Sequence, residues 1–295
     1  MGLSKYLQSE EVLKEIPGKN PEDLRSYILE KGLSWCNEHP EEKEKITTNL
    51  KRFNFPVSEM LIADIQKHIV LHYYEKLLPF GLGPELYCDF LKNNISVETE
   101  VLQGIINEGK GILIALAHFG AVELIAPRLT TCKLPVYPAL RFSTGRFSQI
   151  FQQFGRELTK RGLAGEISFI EIGKPGTTAA LDMAAAIRKK GVLVTVFDEK
   201  TDYSIPVTLF GKEVWGGAGL DKLISFVRSP VAIINAFLIR TGINTFDLKL
   251  MDVNAESKNP VQHMFTNLEE VVRNHLEQWY FLHEEIPFFE NGTDK

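Results

Sequence analysis

From residue 95 onward the chain sets short apolar, β-type runs between helix-patterned stretches, and this alternation limits the fold more than any other feature. The runs at residues 112–117, 192–197 and 231–239 are short, evenly apolar and bounded by turn residues, as buried strands are. Helical patterns separate them at residues 98–110, at 178–190 after Thr177 and Thr178 with Gly191 as the stop, and at 219–228. Strands reached through helical crossovers lie parallel. The sequence therefore predicts an α/β fold with a central mixed, mainly parallel sheet flanked by helices.

Ahead of this core, residues 1–90 read as helical. Ile62, Ile65, Ile69, Tyr73 and Leu77 recur at three and four residues, which is one face of an amphipathic helix that would pack on the sheet. Breaks fall at Pro17-Gly18, at Pro40 and at Pro79 to Pro84, and none of them is a flexible linker. The expected organisation is a single domain over residues 1–295. It comprises the helical part, a catalytic core at residues 95–255, and a C-terminal helix from about Leu268 to His283 with an acidic tail within residues 256–295. A hydrophobic share of 44% is enough to build such a core.

Several function classes are excluded at this level. A net charge of −5 argues against a nucleic-acid partner, which needs a surplus of Lys and Arg. Cys36, Cys88 and Cys132 have no CxxC spacing, so neither a zinc site nor a disulfide framework is expected, and no metal is. No apolar stretch has signal-peptide or bilayer-spanning length, leaving at most peripheral membrane contact. A cytoplasmic protein, at most peripheral at the inner face of the cytoplasmic membrane, is the expectation.

Open α/β sheets gather ligands at the carboxyl ends of their strands. Two strand ends carry chemistry here: His118 with Glu123 after the first, and Asp198 with Glu199 after the second. His118 leaves an apolar strand, and a turn could fold the Glu123 carboxylate back onto the imidazole, fixing its tautomer as a general base needs. Asp198 and Glu199 either position an acceptor, assist the histidine or bind a turn. Arg141 and Arg240 also end strands, where a guanidinium either clamps a phosphate or forms an internal salt bridge, for instance with Asp198 or Glu199. Phe210 with Gly211, and the stretch from Trp215 to Gly219, either line a substrate channel or its lid or simply pack. No Gly-x-Ser-x-Gly elbow is present, so a serine nucleophile has no support.

The segment GKGILIALAHFGAVEL at residues 109–124 resembles the first motif of the lysophospholipid acyltransferase superfamily, and more closely that of the bacterial lipid A biosynthesis (late) acyltransferases. Further segments resemble that family in order: NLKRFNFP at residues 49–56, VYPALR at 136–141, and the block from Gly191 to Gly219 with Asp198, Val207, Phe210-Gly211 and Gly216-Gly217. Arg240 after its strand and LEQWYFLH at 276–283 complete the series. The similarity spans about residues 46–283. It implies transfer of a fatty acyl group from an acyl-ACP or acyl-CoA thioester to a hydroxyl or amine of a lipid, glycolipid or specialised-metabolite acceptor. His118 would be the base, Glu123 would orient it, and no cofactor beyond the donor thioester would be needed. The partners implied are an acyl carrier protein or CoA thioester and the acceptor. A non-catalytic lipid-binding or scaffold protein in a biosynthetic complex is the other reading.

Two departures bear on the acceptor. Ala121-Val122 stands where the family carries Asn-Trp, and residues 267–295 hold seven acids (Glu269, Glu270, Glu277, Glu284, Glu285, Glu290, Asp294) against Arg273 and Lys295, a tail that an anionic bilayer repels.

Overall fold

The computed structural model describes residues 1–141, 145–173, 178–227, 229–255 and 257–284. Thr177 and the tail from residue 285 lie outside them. The N-terminal part is helical: α1 (Leu3–Leu7), α2 (Glu10–Leu13), α3 (Pro21–Glu38), α4 (Pro40–Arg52), α5 (Glu59–Gly81) and α6 (Pro84–Asn94). Asn20 and Ser58 cap α3 and α5 by accepting from the backbone N–H of Asp23 and Leu61, at 2.9 and 3.2 Å. The face of α5 formed by Ile62, Ile65, Ile69, Tyr73 and Leu77 is buried as its spacing predicts.

After α7 (Thr99–Asn107) comes β1 (Gly111–Gly120), then a 3₁₀ turn (Val122–Leu124) and α8 (Ile125–Thr131) before β2 (Val136–Leu140). Next are α9 (Gly145–Lys160), β3 (Ile170–Glu171), α10 (Ala179–Arg188) and β4 (Val192–Val196). The pair β5 (Ile205–Leu209) and β6 (Lys212–Gly216) forms a separate antiparallel hairpin. The main chain then continues through α11 (Leu220–Val227), β7 (Val231–Gly242), β8 (Thr245–Val253) and α12 (Pro260–Asn274). The main sheet runs β3-β2-β4-β1-β7-β8, parallel except where β8 pairs antiparallel with β7. This is the predicted mixed, mainly parallel sheet with helices around it. One continuous hydrophobic core reaches from Leu3 through the sheet to Leu282.

Two local expectations are corrected. The strand β1 runs on to Gly120, so His118 sits within it rather than beyond it. The closing helix stops at Asn274, and 3₁₀ turns at Leu276–Gln278 and Tyr280–His283 replace its predicted last turns. The reason lies at Gln278, whose amide accepts from the Arg240 N–H at 2.9 Å and donates to the Arg240 carbonyl at 3.0 Å. His275, at φ −143° and ψ 55°, ends α12 just ahead of this contact.

Arg240 ties the helical part to the sheet and takes the internal salt bridge of its two sequence readings. Its Nε and Nη2 donate to the two carboxylate oxygens of Glu75 on α5 at 2.6 and 2.8 Å, and Nη2 also donates to the Gly120 carbonyl at 2.8 Å. His68 offers Nδ1 at 3.3 Å from Nη1, and burial together with the facing guanidinium holds its pKa down at about 3, so the ring is neutral. The salt bridge foreseen as an alternative for Arg240 thus exists, but with Glu75 rather than Asp198 or Glu199. Both side chains are almost fully buried, so neither charge can turn to water once its partner is gone. Glu75→Ala should therefore cost about 3 to 5 kcal/mol of unfolding free energy, measured by urea denaturation of the whole chain.

Candidate active site

A break in sheet register sets the site. Along β1 and β7, Leu116 faces Ala236 and Gly120 faces Leu238, so four steps on β1 oppose two on β7. The β1–β4 ladder likewise stops at Leu116 and Val196. Residues 117–119 therefore bulge out of the ladder, the device that re-aims a side chain at a strand end. The His118 N–H, without a ladder partner, donates to Asp198 Oδ2 at 2.6 Å, while His118 Nδ1 lies 2.9 Å from Asp198 Oδ1. One fully buried carboxylate fixes both the backbone and the ring of the histidine.

With Nδ1–H committed to Asp198, Nε2 is the working nitrogen. The side chain of His118 keeps 22% of its surface exposed, and Glu199 Oε1 stands 3.8 Å from Nε2 with its own side chain 38% exposed. Burial opposes charge on the imidazole, but the charge and hydrogen bond of Asp198, then Glu199, then Glu123, outweigh it and raise its pKa to about 9. Phe281 and Tyr280 wall the ring, with centroids 4.8 and 6.1 Å away.

Glu123 does not orient the ring, which corrects the sequence expectation. The 3₁₀ turn after β1 carries its carboxylate toward α5, 3.4 Å from His72 Nε2 and 3.6 Å from Lys76 Nζ. The bulge explains this: it directs the imidazole to β4, while the turn that follows faces the helix. Burial, then the charge of Lys76, pushes the His72 pKa well down, so that ring is neutral. Glu123 acts on His118 only as a more distant charge.

The remaining candidates divide. Arg141 follows β2, is exposed, and lays its guanidinium over Gly173, with β4 between its strand and that of His118. Phe210 and Gly211 form the two-residue turn of the β5–β6 hairpin with φ of 50° and 75°, a mirror-image turn for which Gly211 is suited. Glu269 holds the Phe210 N–H at 2.6 Å, and the ring meets Phe53, Phe55 and Trp279. These contacts pack the ring against the end of α4, Phe55 and the C-terminal segment, the second of the two sequence readings for the pair. At Gly216 a Cβ would collide with the Phe265 ring of α12, so that glycine serves close packing too.

Sequence reasoning missed what surrounds the dyad. Asn49 on α4 donates its amide to the carbonyls of Phe281 (3.4 Å), Leu282 (3.0 Å) and Glu284 (2.9 Å), pinning the segment that walls His118. The Tyr73 and Tyr280 hydroxyls meet at 2.7 Å. A signal existed for the first: Asn49 and the 276–283 segment both belong to the motif series, yet nothing in sequence order says that they touch.

No known protein-family model matches this chain, and no curated protein matches it. Among the described residues no helix is long and apolar enough to cross a membrane.

The His118 titration, followed by NMR, should have its midpoint near 9 in the parent protein. In Asp198→Asn the midpoint should fall, because the nearest stabiliser of the imidazolium is gone. Glu123→Gln should lower it much less.

Proposed function

We propose that this chain is an acyltransferase that moves a fatty acyl group from an acyl-ACP or acyl-CoA thioester to a hydroxyl or amine acceptor. The observation that carries the reading is the His118–Asp198 dyad: a sealed carboxylate on Nδ1, with Nε2 turned to the accessible side of a strand end. In its neutral form Nε2 takes the acceptor's proton as the acceptor attacks the thioester carbonyl. Asp198 stabilises the imidazolium that results, and the ring returns the proton to the departing sulfur, so no acyl-enzyme is formed. The family resemblance of the 109–124 segment implies the same reaction with the same base, although it gives the orienting role to Glu123 rather than Asp198.

The pKa near 9 has a consequence for this mechanism. At pH 7 only about 1% of free molecules carry a neutral imidazole, so alkaline conditions favour the reaction. Arg141, exposed after β2, whose carboxyl end shares a sheet edge with that of β1, is the candidate to meet a donor phosphate, the Arg240 guanidinium being bonded to Glu75. The acyl carrier protein or CoA belongs to this reading as the donor partner, at most with peripheral contact at the inner face of the cytoplasmic membrane.

His118→Ala should lose on the order of 10²- to 10⁴-fold in turnover, read as thiol release from a long-chain acyl-CoA, while circular dichroism stays parental. A lipid-binding scaffold would bind the thioester without releasing thiol. Arg141→Ala should raise the donor KM more than it lowers kcat, as expected for a group that binds ground and transition states alike.

A further inference from the structure

The open side of the imidazole bears on what the acceptor is. Glu199 Oε1 lies 3.8 Å from His118 Nε2, beyond hydrogen-bond range, and no hydrogen bond to Nε2 is present among the described residues. Two polar atoms of partly exposed side chains thus lie across a gap that a single small donor can bridge. A nucleophile that gives Nε2 its reacting hydrogen and keeps a second one for Oε1 satisfies both at once. The nitrogen of a primary amine carries both hydrogens on one atom, whereas a hydroxyl carries one.

Charge points the same way. From β4 the ring faces Asp198 and Glu199, and from the turn after β1 it feels Glu123. From α5 come Lys76, already 3.6 Å from Glu123, and His72, held neutral by burial. The C-terminal segment offers Tyr280 and Phe281 as ring faces, with His283 also held down by burial. Arg240 contributes no free cation, because Glu75 and the Gly120 carbonyl occupy it. With the ring neutral, the form that takes the proton, three carboxylates stand against Lys76, and this acidic balance attracts a cation to the acceptor position and disfavours an anionic headgroup there.

Resting on the acyl-transfer reading above, we propose that Glu199 is the specificity-determining residue for a primary-amine acceptor. The amine arrives as its ammonium and releases one proton to solvent. The nitrogen then attacks the thioester carbonyl carbon, a C–N bond forms and the C–S bond breaks. Nε2 takes the second nitrogen-bound proton and hands it to the thiolate, while the hydrogen that remains on the new amide nitrogen donates a hydrogen bond to the Glu199 carboxylate. Donor and acceptor thus give amide and free thiol, with one proton released to water.

The test uses the full chain with a long-chain acyl-CoA and three probes, octylamine, N-methyloctylamine and 1-octanol. Thiol release and the mass of the acylated product are read together, with His118→Ala rates subtracted as background. Octylamine should exceed both other probes in kcat/KM by at least about tenfold, the scale of one charge-assisted hydrogen bond. In Glu199→Gln the amine-to-alcohol ratio should fall by a similar factor, with the thermal midpoint unchanged. If octanol is acylated as well as the amine, or the ratio survives in Glu199→Gln, the proposal is overturned while acyl transfer stands. If no probe is acylated and no thiol is released above background, the acyl-transfer reading fails and the proposal with it.

Discussion

The carboxylate of Asp198, sealed from solvent at the end of β4, accepts from both the backbone N–H and the ring of His118. Without that double contact the bulge at residues 117–119 would leave a buried backbone donor unpaired and the imidazole free to turn. The same contact makes the ring basic, since a buried negative charge at Nδ1 is screened by little water. Sheet irregularity, side-chain orientation and proton affinity at this site therefore have one physical origin.

A second buried carboxylate performs the matching task for the scaffold. Glu75 holds the Arg240 guanidinium, which also reaches the carbonyl of Gly120, while the Arg240 backbone exchanges hydrogen bonds with the Gln278 side chain, so α5, the end of β1, β7 and the C-terminal segment meet at one residue. Asn49 fastens that segment from α4 a few residues further on. Segments near the two ends of the chain thus converge on the wall of the His118 site. This is why the N-terminal helices belong to the site's construction although none of them supplies the base.

Much of the arrangement was legible in order and texture. The apolar runs became β1, β4 and β7, and the rule that chemistry gathers at strand ends pointed to His118, Asp198 and Glu199. The pairing among them was not legible. Glu123 is five residues from His118 and Asp198 eighty, yet it is the parallel register of β1 with β4 that decides proximity, and a bulge inside β1 then turns the ring toward the distant acid. Arg240 was equally ambiguous, because its partner Glu75 sits on a helix whose sequence signals only an amphipathic face. The short β3, β8 and the β5–β6 hairpin lacked an apolar run strong enough to stand out, being edge or two-stranded elements with exposed faces.

In the proposed reaction an imidazole made unusually basic by Asp198 removes the acceptor's proton. The pH dependence of donor kcat/KM tests it most directly, measured between pH 6 and 10 with an acceptor that does not itself titrate in that range, because this quantity reports the ionisations of the free enzyme. It should rise about tenfold per pH unit and level off near the His118 pKa of about 9. A profile that is flat from pH 6 to 9, or that falls as the pH rises, would contradict the proposed reaction.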